Sequence, residues 1–475
     1  MPEVWYLKEI RDRDRTIRDQ QKEIEKLKQE RDEARRKQQQ AEEELRHIAE
    51  RKKSKPPRIN YSVSTQEKKM GKQKRKKSTG RRKNTDKANE AELVKNIYPK
   101  GVSFQQCRYV RSVTVTRLMD GRATRVLYRI HATRDGSKQG ELPDVLPNGE
   151  YGIEIAVALA LLVYGIEVSI DQACQILSMF FNLHLSKSQA NSLLQQLSAL
   201  WGKDFEALKE LIVLAMIVHI DETGWKIDAK RCYTWIFTSV LHTVLLYGES
   251  RAEDVLDTIL PRNIFQGIGV SDCLKIYEKR FKQAQKCWAH FLRVAIRLML
   301  SNMDNEEYRQ FFEELYTIFT DGRKAQQDET LTEKQREETV QDLQQRITAF
   351  CTRYEEQIPK ETSKDEREFI NLQKRMMRNI DDLFTFVLIP EVEATNNRAE
   401  RGFRKTAKAR NNYQTSKTQK GADRRSVIAS VLTSLKQNME HYTLTSITEE
   451  VVRWRTEGIS MFEKQLKAIQ LEASP

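Results

Sequence analysis

The chain has 475 residues, 39% hydrophobic and 32% charged, apolar material enough for two or three domains of about 100–200 residues each. Lys plus Arg (82) exceeds Asp plus Glu (68) by 14, and residues 51–100 alone carry that surplus, with 18 basic and 4 acidic residues. The charged opening MPEVWYLKEIRDRDR excludes a signal peptide, no apolar run reaches the ~20 residues of a membrane helix, and six cysteines without a CxxC pair indicate neither a disulfide scaffold nor a zinc ribbon.

Residues 1–50 repeat in sevens. With Ile10 at position a, the seam runs Ile10, Arg13, Ile17, Gln20, Ile24, Leu27, Arg31, Ala34, Gln38, Ala41, Leu45 and Ile48, apolar at eight of twelve sites. That is a coiled coil with a weak seam, expected to self-associate. Residues 51–98 form a basic arm too poor in apolar residues to fold alone, and it is read as disordered. Its densest cations are Lys74, Arg75, Lys76, Lys77, Arg81 and Arg82, which suit a phosphate backbone without sequence preference.

Residues 99–150 read as a β-hairpin and linker. Tyr109, Arg111, Val113, Val115 and Arg117 alternate, Asp120-Gly121 turns, and Val126, Tyr128 and Ile130 follow. Residues 151–210 are helical. An apolar helix spans Ile153–Gly165, and a pair, Ile170–Phe181 and Lys187–Leu197, is joined by NLHLS with Ser186 placed as a cap. A helix-turn-helix DNA-binding region and an ordinary helical hairpin fit this pair equally.

Residues 211–303 change pattern. LIVLAMIVHID reads as one buried strand ending in Asp221; RCYTWIFTSV and HTVLLYGES are further strands. Ala252–Leu260 is helical, Gly267–Asp272 is a fourth short strand, and Trp288–Leu300 is a helix. Three sequential strands followed by strand–helix alternation predict a mixed α/β sheet. Residues 304–389 carry only helical periodicity. Residues 390–440 hold a basic helix with NNRAERGFRK and an amphipathic helix, and 441–475 a helical tail.

Asp221 and Asp272 each end an apolar strand, where an unpaired carboxylate is costly unless solvated, paired or bound to metal. Carboxylate oxygens are the ligands Mg²⁺ and Mn²⁺ prefer. Two strand-end aspartates capping the next helix would look the same. A third acid from a helix would complete a site for two metals roughly 3.5–4 Å apart. Glu400 is the candidate, because Asn396, Asn397, Arg398, Arg401, Arg404 and Lys405 make its helix suited to phosphates. His219 reads as a structural histidine facing away from Asp221; His290 either packs or orients a phosphate; Trp225 and Trp235 read as core.

Five ordered blocks, HIDETGWKID (219–228), YTWIF (233–237), GVSDCLKIY (269–277), CWAHFLR (287–293) and NNRAERGFRK (396–405), resemble the DDE transposases of the insertion sequence 66 family over roughly residues 150–440. The resemblance implies an α/β ribonuclease H-like catalytic domain with an all-helical insertion between the second and third acids. Ahead of it stand the coiled coil, the basic linker and the mainly helical DNA-binding region. It implies that Asp221, Asp272 and Glu400 are the catalytic metal ligands, with Glu393 a rival for the third place. It also implies Mg²⁺ or Mn²⁺ as cofactor, the double-stranded ends of a mobile element and target DNA as partners, a homo-oligomer, accessory proteins of the element, and action in the cytoplasm at the nucleoid. Two departures stand out. The cysteine-rich zinc segment common ahead of the catalytic domain is reduced to Cys107, and Thr395 stands where an aspartate is common. A non-catalytic architectural DNA-binding protein, and a metal-dependent nuclease without strand transfer, are the competing functions.

Overall fold

The computed structural model describes residues 90–472 apart from 147–148, 229 and 412–414. The zipper seam and the arm cations from Lys74 to Arg82 lie outside the described residues. Among the described residues no helix is long and apolar enough to cross a membrane.

The first sheet is three-stranded. β2 (Cys107–Met119) and β3 (Arg122–Thr133) are antiparallel, and Asp120 and Gly121 between them both take positive φ (50° and 74°), as the tight two-residue hairpin turn demands. β1 (Leu93–Ile97) pairs parallel with β3. This strand lies inside the stretch read as a disordered arm, so the arm is folded at its end. β1 escaped detection because its side chains are mostly exposed and its hold is the backbone ladder. Arg117 ties the hairpin to the next element, donating from Nε to Glu154 (2.7 Å) and also pairing with Asp144.

Four helices follow: α1 (Ile153–Ala160, continued by a π turn at Leu161–Gly165), α2 (Ile170–Phe181), α3 (Lys187–Leu200) and α4 (Gly202–Val213). Ser169 and Ser186 close capping boxes with Gln172 and Gln189, and these Ser-x-x-Gln pairs set where α2 and α3 begin.

The second sheet has five strands in the order β6-β5-β4-β7-β8. β4 (Ile217–Ile227), β5 (Lys230–Thr238) and β6 (Thr243–Glu249) run antiparallel to their neighbours; β7 (Ile268–Ser271) and β8 (Gln283–Lys286) add parallel to β4. α5 (Asp254–Ile259) lies between β6 and β7 in the chain. The apolar run at 211–220 is therefore not one strand. Leu211 and Ile212 belong to the buried face of α4, the chain turns at Leu214–Met216, and Asp221 stands in mid-strand. Periodicity could not separate a helix end from a strand start when both are buried.

Both sheet faces are covered. Val218, Ile220, Trp235, Phe237 and Val244 join the core of α1–α5, while Trp225, Ile236, Leu245 and Tyr247 meet the helices that close the chain: α11 (Asn397–Gly402), α12 (Arg404–Asn411) and α13 (Gln419–Asn438). α13 runs along β6, where Ser426, Ser430 and Ser434 accept the N–H groups of Tyr247, Leu245 and Thr243 at 2.9, 2.8 and 2.9 Å. Four helical residues rise about 6 Å and two strand residues about 6.6 Å, so serines at every fourth position meet every second amide. α14 (Leu444–Glu457) and α15 (Met461–Glu472) complete the chain.

The helices α6 (Trp288–Ser301), α7 (Glu306–Gln327), α8 (Glu333–Phe350), α9 (Lys364–Arg378) and α10 (Thr385–Leu388) form a second core around Trp288, Phe311, Leu315, Ile347, Phe369 and Phe384. Buried Arg336 donates to the carbonyls of Ala325, Val387 and Asp328. The 390–411 stretch, expected as one basic helix, stays irregular to Asn396 and breaks again at Phe403.

Candidate active site

Across the parallel pair, Ile217, Val218 and His219 stand opposite Ile268, Gly269 and Val270. Continuing that register by two residues sets Asp221 beside Asp272, at the carboxyl end of β7, on strands about 4.8 Å apart. Sheet ends of this kind are where α/β sites form.

Alternation along β4 decides which groups share a face. The odd residues face α11 and α12: His219 meets Asn396 (Nδ1 to Oδ1, 3.2 Å), Thr223 accepts from Arg410 (3.0 Å), and Trp225 donates to Ser416 (3.3 Å). Asp221 shares that face, and so does His219, against the expectation that it would look away. His219 is buried and its pKa is lowered to about 4, chiefly by that burial. Glu222 points the other way, where Tyr277 Oη donates to it at 2.6 Å and Arg251 pairs with it at 2.7 Å.

Asn396 anchors the helix that carries Glu400. Fully buried, it donates from Nδ2 to the Ile220 carbonyl (2.7 Å), meets His219, and gives its backbone N–H to Cys287 Sγ (3.0 Å). The start of α11 is thereby nailed to β4 one residue from Asp221. Glu400 follows one helical turn later, where its charge reaches Asp221. Gly402 permits the approach, since a Cβ there would lie 2.2 Å from Ile236 Cδ1. Glu393 is held by Arg398 at 2.7 Å, as Glu400 is by Arg293, and it is the charge of Glu400 that reaches Asp221. The pairing with Glu393 also occupies Arg398, whereas Arg401 and Arg404 are exposed and Lys405 is half-buried. Asn396 is a lock and no part of a phosphate-facing surface.

The electrostatics are those of a site short of positive charge. Burial, then Asp272 and Glu222, push the Asp221 carboxyl up to about 8. Asp272 is also raised by burial, against the Leu274 N–H (3.0 Å) and the charges of His290 and Lys286. Among the described residues no cationic side chain forms an ion pair with either aspartate. A hard divalent cation fits two such carboxylates. Three neighbours add to the set, of which Lys286 and Arg293 went unread in the sequence. Lys286 is fully buried behind Asp272, donating to Tyr277 O (3.1 Å); Arg293 donates to Glu400 Oε1 (2.5 Å); and His290 Nε2 lies 3.9 Å from the same oxygen. Arg293 and His290 sit three apart on α6, the helix-face spacing that the CWAHFLR block displays. Trp225 and Trp235 are core residues.

Comparison with curated proteins gives no match. The family described as Transposase IS66 family matches residues 149–424, more than half of the chain, and that span holds all three acids. The chain belongs to the IS66 family of transposases.

Proposed function

We propose that this protein is a DDE transposase that binds the ends of a mobile DNA element and catalyses metal-dependent phosphodiester cleavage and strand transfer. Asp221, Asp272 and Glu400 would hold Mg²⁺ or Mn²⁺. The observation that carries this reading is the convergence of three chain-distant carboxylates at one sheet end, two of them burdened by burial and repulsion with no ion-pair partner among the described residues. A ribonuclease H-like core is supported by the sheet itself, three antiparallel strands extended by two parallel ones in the order β6-β5-β4-β7-β8.

Bound divalent cations would supply a lowered water pKa and charge stabilisation at the phosphate. The chain's own groups do the rest. Asn396 orients the third acid, Arg293 keeps a cation beside the site, and Glu222 with Tyr277 and Arg251 braces β4 from behind.

DNA would be held by the exposed cations Arg401, Arg404 and Lys405 and by the basic arm. A groove between α2–α3 and the start of α13, lined by Lys187, Asn191, Ser416, Lys417, Lys420 and Arg424, offers the lysine, arginine, amide and hydroxyl groups that contact phosphates. Domain limits follow the sequence reading, with residues 211–303 and 390–440 forming the catalytic core around the 304–389 insertion. A homo-oligomer that brings two element ends together, accessory proteins of the element and a place at the nucleoid belong to the same reading.

The test is a cleavage and joining assay on duplex DNA carrying the element's ends. Asp221→Asn, Asp272→Asn and Glu400→Gln should each lose about 10³-fold or more in rate while binding DNA like the unmodified chain. Glu393→Gln and Glu222→Gln, which leave the acid set whole, should stay within about tenfold. Activity in all three acid variants would overturn the reading; cleavage without joining would make the protein a nuclease.

A further inference from the structure

Cys287 Sγ, a ring nitrogen of His290 and a carboxylate oxygen of Glu400 all lie within 4.8 Å of one another. Two of these residues come from one helix end: Cys287 is the N-cap of α6 and His290 sits three residues on. Glu400 arrives from α11. The set is not explained by packing alone, because His290 Nδ1 is buried and has no hydrogen-bond partner among the described residues. His290 Nε2 is already 3.9 Å from Glu400 Oε1.

A thiolate, an imidazole and a carboxylate together differ in kind from the all-oxygen set at Asp221 and Asp272. Hard ions choose oxygen ligands, while sulfur and nitrogen select a borderline-soft ion such as Zn²⁺. Zinc–ligand distances of about 2.0–2.3 Å in a tetrahedron put neighbouring donors roughly 3.3–3.8 Å apart. Closing from 4.8 Å then asks each side chain to move by about 1 Å or less. Three protein donors leave a fourth position open. Burial pushes the Cys287 thiol up, so a bound ion must displace its proton; Sγ accepts the Asn396 N–H at 3.0 Å, an outer-shell bond of the type that orients metal ligands. Cys287 is itself fully buried, but His290 and Glu400 are 37% and 32% exposed at their side chains, so an ion has an entry path over them.

We infer that Cys287, His290 and Glu400 form a Zn²⁺ site beside the hard-metal site, sharing Glu400 with it. A Glu400 carboxylate turned toward Cys287 and His290 is drawn away from the two aspartates. Zn²⁺ bound here withdraws the third acid and inhibits Mg²⁺-dependent cleavage; this consequence rests on the reading of Glu400 proposed above, whereas the site itself does not.

The experiment uses the full chain, stripped of metal and titrated with Co²⁺ as a spectroscopic stand-in for Zn²⁺, followed by competition with Zn²⁺. The expected result is a thiolate-to-cobalt charge-transfer band at one equivalent, erased by Zn²⁺ and absent in Cys287→Ser. Zn²⁺ affinity should fall about 100-fold or more in that variant, beyond the loss typical of an outer-shell partner. His290→Gln, a half-exposed position, gives a second arm should Cys287→Ser fail to fold, and it should weaken binding while keeping the band. Asp221→Asn should keep the band unchanged. In the cleavage assay, each protein's rate with Zn²⁺ is divided by its own zinc-free rate, and Cys287→Ser should lose the inhibition. No band in the unmodified chain, a band that survives Cys287→Ser, or one that disappears in Asp221→Asn overturns the site. If the band depends on Cys287 and binding weakens in His290→Gln, yet no variant or parent cleaves DNA, the zinc site stands and the transposase chemistry falls.

Discussion

Asp221 shows how one residue ties pH to metal binding. Its folded pKa of about 8 lies above the value near 3.9 of a free aspartate. The metal-free fold therefore holds a proton that the unfolded chain releases, so this group's contribution to stability is complete below about pH 4 and is lost as pH rises towards 8. A divalent cation must displace that proton. Apparent Mn²⁺ affinity should climb about tenfold per pH unit from roughly 6 to 8 and flatten above. Titrations of the full chain at fixed ionic strength would read this slope, and Asp221→Asn should remove it. The aspartates themselves were legible in the sequence because a carboxylate closing an apolar run is conspicuous. The meaning of Asn396 was not. Its three partners, Ile220, His219 and Cys287, are up to 177 residues away, and local pattern carries no information about them. His219 was misplaced by a slip in strand parity that one tertiary contact corrects.

At the scale of elements, the site depends on α11 being held against β4. Asn396→Ala removes two side-chain bonds and leaves the buried Ile220 carbonyl without its donor, a cost of about 1–3 kcal/mol. A shift of about 1 Å in Glu400 can lower the rate by ~10²-fold. The variant should melt earlier and cleave more slowly, with partial rescue at high Mn²⁺; an unchanged rate would show that Glu400 is placed by something else. The contact of α13 with β6 is a second element-scale device. Ser430→Ala strands the amide of Leu245 inside the core, and thermal unfolding should report about 1–3 kcal/mol lost. Elements with strong periodicity, such as the α7 and α8 helices or the β2–β3 hairpin, stood out in the sequence. β1 and β8 did not, since LVKNI and QAQK show little apolar alternation and pair through backbone atoms that every residue possesses.

For the whole molecule, charge and chemistry are separated along the chain. The 14 net positive charges reside in residues 51–100, while the three acids lie between 221 and 400. Deleting residues 51–89 should weaken binding to specific and random duplexes alike and flatten the dependence on salt, as phosphate neutralisation requires. Gel-shift titrations at several salt concentrations would show it, and a loss confined to the element's ends would argue for base reading by the arm. Changing Lys417 and Lys420 to Glu should instead weaken binding near the helix pair while leaving the arm's salt slope in place.

The serine ladder has a consequence for where this molecule may be divided. The family match stops at residue 424, two residues before Ser426. A fragment ending there would keep all three acids but strip the cover from β6, leaving a row of bare amides and carbonyls of the kind that recruits strands from other chains. Such a fragment should precipitate or self-associate through β6 although it keeps the proposed acid set. The boundary of the reaction and the boundary of the soluble body are different lines in this chain, and three hydroxyl groups mark the distance between them.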